Sequence, residues 1–290
     1  MPTRVDLAVC AIFKNEARYL SEWLEFHHLV GVRRFFLYDN GSTDDWRAAI
    51  ADSGVGARVT VLDCPGPTRQ LPAYADCLAR FGDAARWIAF IDLDEFLFAP
   101  DGDLPARIEA YRDHPAVAVN WMVFGSSGHE LRPPGLVTKA YRRRADAAFA
   151  IPQPTFLKSP GLDPDRLESY HPMSAHVKVV LQPALALRPM TPHHFRYRDG
   201  RLAVTENGEP FDGPWSPRVS VERLRINHYW SKSRQDLVEK VRRGYACAGT
   251  GPGLELAEAI ERFLNQKEDT TILPLAQRLR RWDGGAGVSR

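Results

Sequence analysis

Asp92-Leu93-Asp94-Glu95 is the segment of this chain whose residue types and spacing promise chemistry most directly. Two carboxylates stand two residues apart with a third beside them. Crowded carboxylates repel, and a divalent cation relieves that repulsion. Hard oxygen donors suit Mg2+ or Mn2+, ions that keep several waters and draw other ligands from substrate phosphates. A cation held there is a Lewis acid that neutralises charge building on a departing diphosphate. The local alternative makes Asp92 and Asp94 turn and N-cap residues of a following helix. A bare Asp-x-Asp does not decide between the two. Its setting favours chemistry, because Trp87–Ile91 is an apolar run that reads as a buried strand ending at the carboxylates.

Two more polar clusters follow apolar runs in the same way. Leu7–Phe13 leads into Lys14-Asn15-Glu16, and Arg34–Tyr38 leads into Asp39-Asn40-Gly41-Ser42-Thr43-Asp44. Helical patterns separate the runs. In the first, Leu20, Trp23, Leu24, His27 and Val30 share an inward face and Arg18, Ser21, Glu22 and Glu25 the outward one, with Gly31 as terminator. His27 on that face reads as structural. A short helix around Asp45–Ser53, a strand Val59–Leu62, a helix Pro72–Phe81, a helix near Leu104–Arg112 and a strand near Val117–Trp121 complete the pattern. Alternating strands and helices predict an α/β fold with a mostly parallel, doubly wound sheet flanked by helices. Such sheets bind ligands beyond the carboxyl ends of their strands, which would gather all three polar clusters on one edge.

Downstream, Gly125 to Pro172 is rich in Pro, Gly and Arg and reads as long loops over the site. His176–Leu181 is a strand returning to the sheet, and Arg223–Asn227 a short strand or approach segment. Gln235–Tyr245, Leu254–Leu264 and Thr270–Arg281 have helical periods. The expected organisation is an α/β domain over 1–232 with a helical extension, 233–290, packed on it.

The 290 residues are 44% hydrophobic and 26% charged, with a net charge of +2, so charge gives no reason to expect a nucleic-acid partner. Arg142–Arg144 and the trio Arg278, Arg280, Arg281 read as solvated surface. Cys10, Cys64, Cys77 and Cys247 show no paired spacing, which favours a reducing cytoplasm. No signal peptide is legible, and no run approaches the roughly 18 apolar residues of a membrane span. Ile272, Leu275, Leu279 and Trp282 beside the late arginines leave two readings open: an amphipathic helix docked on the domain, or peripheral contact with the inner face of a membrane.

Taken together, several blocks resemble the glycosyltransferases of the family 2 and family 92 type, which have a GT-A fold. They are Ala11–Glu16, Leu20–Leu24, Phe36–Asp44, Phe90–Leu97, Phe124–Gly128 and Asn227–Ser233, and the resemblance covers roughly residues 7–245. It implies a metal-dependent, inverting transfer of a sugar from a nucleotide-sugar donor, usually UDP-linked, to a glycan, lipid-linked or small-molecule acceptor, as in polysaccharide biosynthesis. By position, Glu16 and Asp39 would lie near the nucleoside, and Asp92 and Asp94 would hold Mn2+ or Mg2+ on the diphosphate, with Glu95 beside them. Asp39 and Asp44 can accept from ribose hydroxyls and a uracil N–H; the same segment also reads as an Asx-turn with a capped helix behind it. Lys14, Asn15, Asn40, Ser42 and Gln70 would line the same nucleotide pocket.

Sites of this type often recruit a late histidine as a further metal or phosphate ligand, and His194 and His228 compete for that role, His193 preceding the first of them. Lys232, Lys240 and Arg243 can hold a phosphate; otherwise they form a solvated helix start. Trp121, Trp215 and Trp230 can stack on sugars or simply pack. An inverting transfer needs a general base. Among Glu130, Asp163, Asp165 and Glu168 none has a distinctive setting, and Glu168 is the nominal choice. A phosphatase of the haloacid dehalogenase type would place its aspartates on the first strand, and a nucleotidyltransferase would want a glycine-rich loop there. A catalytically degenerate nucleotide- or glycan-binding protein would not need the metal pair.

Overall fold

Val5–Phe13 (β1) is apolar at nearly every position because its two faces are both covered. Leu7, Val9, Ala11 and Phe13 enter one buried cluster, while Ala8, Cys10 and Ile12 enter another on the opposite face. The computed structural model describes residues 4–150, 172–244, 246 and 253–279. The amino-terminal half alternates as expected: α1 (Ala17–Leu29), β2 (Arg34–Asp39), α2 (Trp46–Asp52), β3 (Val59–Asp63), α3 (Gln70–Phe81) and β4 (Ala85–Phe90). Then come β5 (Glu95–Phe98), α4 (Leu104–Glu109), β6 (Ala116–Phe124), α5 (Val137–Ala140) and β7 (Arg143–Arg144). Beyond the undescribed stretch follow β8 (Val177–Leu181), β9 (Ala186–Thr191), β10 (His194–Tyr197), β11 (Ala203–Val204), β12 (Pro210–Phe211) and β13 (Arg225–Tyr229). The chain closes with α6 (Arg234–Arg243), α7 (Leu254–Glu261), β14 (Lys267–Glu268) and α8 (Leu273–Ala276).

The main path of the sheet runs β12-β11-β6-β8-β4-β1-β2-β3. Strands β3, β2, β1 and β4 are mutually parallel, so the ends of β1, β2 and β4 lie on one edge. Strand β8 is antiparallel to both β4 and β6. It therefore enters the sheet at that same edge, with His176 and Lys178 at its start. Strand β13 is parallel to β6 and antiparallel to β5, so its carboxyl end, Tyr229, lies there too. The sheet is mixed rather than uniformly parallel beyond β4.

Several local expectations are corrected. The segment after Asp92–Glu95 is not a helix but β5, held by β13, so neither aspartate is a helix N-cap. Ser21 and Glu22 lie on a buried face of α1. Glu22 accepts from the Val137 and Thr138 amides at 2.7 and 3.0 Å and from the Thr138 hydroxyl at 2.7 Å, fastening α5 to α1. Burial pushes its carboxyl up, against those same bonds. The helix expected over Thr270–Arg281 is confined to Leu273–Ala276. Leu237, Ala257, Ile260, Leu264, Ile272 and Leu279 join the same cluster as β1 and α1, so the carboxyl-terminal segment packs on the sheet and shares its core. That placement follows the docked reading of the last helix, with Trp282, Arg280 and Arg281 outside the described residues. No helix among the described residues is long and apolar enough to cross a membrane.

His27 has the structural role its position indicated. Its Nδ1 must donate to the Trp23 carbonyl at 2.8 Å, which leaves Nε2 to accept from the Leu97 amide at 3.1 Å. Both bonds require the neutral ring, and burial lowers its pKa from 6.5 to about 3. The unfolded chain takes up this proton below about pH 6.5 while the folded one does not. Stability should therefore fall as pH drops from about 6.5 toward 3, by at most about 1.4 kcal/mol per pH unit from this residue. Melting curves across that range, with 15N spectra showing a neutral His27 ring at about pH 5, check this; a doubly protonated ring there contradicts it.

Candidate functional site

Asp92-Leu93-Asp94-Glu95 forms a tight turn between β4 and β5, closed by the Glu95 amide on the Asp92 carbonyl at 3.1 Å. The Glu95 side chain reaches back to accept from the Asp92 amide at 2.8 Å. From beneath, the Trp23 indole donates to the Asp92 and Glu95 carbonyls at 3.2 and 2.8 Å. The turn therefore presents Asp92 and Asp94 outward while Glu95 stays inside. Glu95 is fully buried and does not line the cavity, so it braces the turn and has no access to a substrate. Burial, with Asp92 and Asp94 adding repulsion, pushes its carboxyl well above the usual range, against the pull of Lys178.

Each aspartate is met by a lysine. Lys178, fully buried on β8, donates to Asp92 Oδ2 at 2.8 Å and stands 3.8 Å from Glu95. The other Asp92 oxygen accepts from Gln70 at 2.7 Å and Tyr74 at 3.4 Å, both on α3. Burial works against the Lys178 ammonium, but Asp92 and Glu95 outweigh it and raise its pKa. Lys240 on α6 donates to Asp94 Oδ2 at 2.7 Å and to the Trp230 carbonyl at 2.9 Å. Burial alone would push the Asp94 carboxyl up; Lys240, then His228 and Lys232, hold it well below the usual range.

These groups open onto a cavity of about 550 Å3 at the carboxyl edge of the sheet. Lys14, Glu16, Asn40, Gln70, Asp92, Asp94, Trp121, His193, His228, Lys240 and Arg243 line it. Helix α6 closes one side. Its start is fixed by a capping box between Ser233 and Asp236, which sets the turn of the helix that carries Lys240 and Arg243 inward. Arg243 donates to the Lys14 carbonyl at 2.8 Å and pairs with Glu16 at 2.7 Å, tying α6 to the loop after β1.

A divalent cation fits part of the expected donor set. Asp94 Oδ2 and His228 Nε2 stand 3.6 Å apart on the cavity wall, too far for a good hydrogen bond and close enough to share one ion. The His228 Nδ1 is buried without a partner, and the register of β13 against Glu95 is what brings the ring here. Asp92 Oδ2 is held by Lys178 and Asp94 Oδ2 by Lys240, so an ion bound to either of these oxygens would displace a lysine contact. No group of three or more ligating side chains that could hold a metal exists among the described residues. A hard cation here would take its remaining ligands from water and phosphate.

His194, the rival histidine, is not in the site: it pairs with Asp212 at 2.6 Å. It is the first residue of β10, while its neighbour His193, in the turn before that strand, lines the cavity. The nucleotide-facing residues expected after β2 act chiefly as braces. Asp39 accepts from the Ser42 amide at 2.8 Å, closing the turn after β2, and Ser42 accepts from the Asn15 amide at 3.0 Å. Asp44 accepts from the Ala17 amide at 2.7 Å and so caps α1. Asn15, in the left-handed region at φ 54°, accepts from the Thr43 amide at 2.7 Å. Asn40 faces the cavity and also donates to the Cys64 and Gly66 carbonyls, each at 2.8 Å. Asp39 and Ser42 line no cavity wall described here, while Asn15, Asp44 and Lys232 line a neighbouring one of about 410 Å3. Lys232 lies over the Tyr19 ring at 4.4 Å and 3.8 Å from Glu16. Glu168, like Asp163 and Asp165, lies outside the described residues. Lys178 and Tyr74 were missed by sequence reasoning; a lysine inside the Val-rich run of β8 was the available signal.

The geometry defines an α/β protein with an ionic cleft at the carboxyl edge of its sheet. Residues 5–141, which supply β1 to β6 and the paired aspartates, match the family model described as Glycosyltransferase family 92. A glycosyltransferase family 92 protein of Oryza sativa subsp. japonica is 33% identical over 148 residues, 49% of this chain and 25% of that protein. One from Arabidopsis thaliana is 29% identical over 140 residues, 46% of this chain and 24% of that protein. The chain thus spans about a quarter of the length of these relatives. Among solved structures, S. aureus TarS 1-349 covers 62% of this chain and 48% of its own at 11% identity and a TM-score of 0.38. Glucosyl-3-phosphoglycerate synthase from Mycobacterium tuberculosis with phosphoglyceric acid covers 63% and 58% at 19% identity and a TM-score of 0.31.

Removing the Lys178 ammonium leaves Glu95 and Asp92 facing each other at the end of β4. Lys178→Met should cost about 3–5 kcal/mol in denaturant unfolding, and adding Glu95→Gln should recover part of it. A loss under about 1 kcal/mol contradicts the pairing described.

Proposed function

We propose that this chain is a glycosyltransferase that takes a sugar from a nucleoside diphosphate donor, UDP-linked by preference, and transfers it with inversion to a carbohydrate, lipid-linked or small-molecule acceptor. The observation that carries the reading is the meeting of Asp94, His228, Lys240 and Arg243 in one cleft. These groups come from two ends of the chain, and the first lies within the segment similar to family 92. The match with family 92 supports transfer of a sugar, and the cleft's donors and cations suit a diphosphate.

Asp94 and His228 would hold Mn2+ or Mg2+. When bound, that ion supplies Lewis-acid stabilisation of the departing diphosphate. The side chains of this chain do the rest. Lys240, Arg243 and Lys14 attract and orient the phosphates. Asn40 and Gln70 lie on the wall nearer β2 and α3, where a nucleoside would sit. Trp121 offers the sugar an aromatic face. A reducing compartment goes with the reading, since Cys10, Cys64 and Cys77 are buried free thiols.

UDP with Mn2+ should raise the melting temperature by roughly 5 °C at about 100 times Kd, more than UDP with EDTA. Asp94→Asn should abolish that metal-dependent increment while keeping the unliganded melting curve within a few degrees. No shift with UDP, GDP, ADP or CDP, with or without metal, would remove the donor assignment.

A further inference from the structure

Among the described residues the cleft is lined by three carboxylates, and each is engaged by a cation. Glu16 pairs with Arg243 at 2.7 Å, Asp92 with Lys178 at 2.8 Å, and Asp94 with Lys240 at 2.7 Å. Of the two histidines that line the cleft among the described residues, His228 directs Nε2 at Asp94 and keeps Nδ1 buried. His193 is different. It is the second residue of the Pro192-His193 turn that joins β9 to β10, and its amide donates to Thr191 Oγ1 at 3.1 Å. Its Nδ1 lies 2.9 Å from the Val177 carbonyl. A carbonyl only accepts, so Nδ1 carries the proton and Nε2 holds the free lone pair. The ring is further fixed edge-on to Trp121 at 5.2 Å and to His176 at 5.6 Å. Nothing among the described residues hydrogen-bonds Nε2. Burial, then the nearby Lys178 ammonium and His176, push the pKa of the ring well below the ordinary histidine value, so it is neutral near pH 7.

We propose that His193 is the general base of the transfer, with Nε2 taking the proton of the acceptor hydroxyl beside Trp121. The inference rests on the glycosyltransferase reading above. As the acceptor oxygen bonds to the anomeric carbon, its proton passes to Nε2. The bond from that carbon to the diphosphate oxygen breaks, and its electron pair leaves with the nucleoside diphosphate. The products are the inverted glycoside, the nucleoside diphosphate and an imidazolium that later returns its proton to water. The Val177 carbonyl holds the tautomer throughout, the role an orienting acceptor has in other histidine bases.

The test is UDP release from a panel of UDP-sugars, with water and simple methyl glycosides as acceptors, for the wild type, His193→Asn and His193→Gly. His193→Asn should lower kcat by about 100-fold or more while leaving the UDP-induced melting shift unchanged. Added imidazole should restore part of the activity of His193→Gly, which a merely structural histidine would not allow. A His193→Asn enzyme within about threefold of wild type, or a slow His193→Gly that imidazole does not rescue, overturns the assignment. Wild-type protein that binds UDP but releases none from any donor fails the transfer reading itself, and the base assignment with it.

Discussion

The ammonium of Lys178, without solvent exposure between β4 and β6, fixes the arrangement on which the cleft depends. It faces Asp92 directly and Glu95 at 3.8 Å. Two unit charges about 4 Å apart attract by about 4 kcal/mol at an effective dielectric near 20, and each buried ion loses several kcal/mol of hydration. The cluster's net stabilisation is therefore small, and its effect is geometric. With the ammonium in place, Glu95 can turn inward and close the turn on the Asp92 amide, and Asp92 is aimed at Gln70 and Tyr74. That leaves Asp94 as the carboxylate presented to Lys240 and His228. The split between the two aspartates follows from which of them the buried lysine holds.

A second constraint comes from the far end of the chain. The capping box at Ser233 fixes the start of α6, and Lys240 and Arg243, three residues apart, share the face toward the cleft. Arg243 holds the backbone after β1 as well as Glu16, so the helix both walls the cleft and stiffens the loop opposite. The wall is consequently built by residues separated by more than two hundred positions. The core shows the same thing: Leu237, Ile260 and Ile272 pack in one cluster with Trp23 and Phe96.

The amino-terminal half was legible because fully buried strands are apolar at every position and end at polar turns. Leu7–Phe13, Arg34–Tyr38 and Trp87–Ile91 have that form, and each ends within a residue or two of where the pattern put it. Strand direction carries no comparable signal. Val177–Leu181 reads as a strand, but nothing local shows that it runs antiparallel and so brings His176 and Lys178 to the edge where β4 ends. The four residues Glu95–Phe98 are too short to separate a strand from the start of a helix. His193 and His194 differ by a single step in a turn, and a one-residue shift exchanges the inward and outward sides; composition cannot choose between them. The cluster Asp39–Asp44 was read as a turn before a capped helix and as a nucleotide-facing segment, readings that are compatible; the turn is seen in the Asp39 bond to the Ser42 amide and the cap in Asp45 on α2.

The cleft is electrically lopsided, and that asymmetry has a cause in burial. On the side of β1, α3 and α6 the wall is ionic, with carboxylates and cations paired. On the side of β6, β8 and β13 the lining is aromatic, with the Lys178 ammonium buried behind it: Trp121 packs on His228 at 4.3 Å and on His176 at 5.0 Å, with His193 edge-on. Burial lowers the pKa of both His193 and His228, and the Lys178 ammonium acts against a proton on His193 as well. A protonated imidazole there would lose hydration and face a like charge, so in the resting cleft both rings are neutral and an imidazolium on His193 lasts only until its proton is passed on. On the proposed reading, a ligand with a charged diphosphate and a sugar ring has one favourable orientation: phosphates toward Lys240 and Arg243, the ring toward Trp121. The same lysine that positions the aspartates thus disfavours a proton on His193 in the resting cleft, which couples the two halves of the cleft through one buried charge.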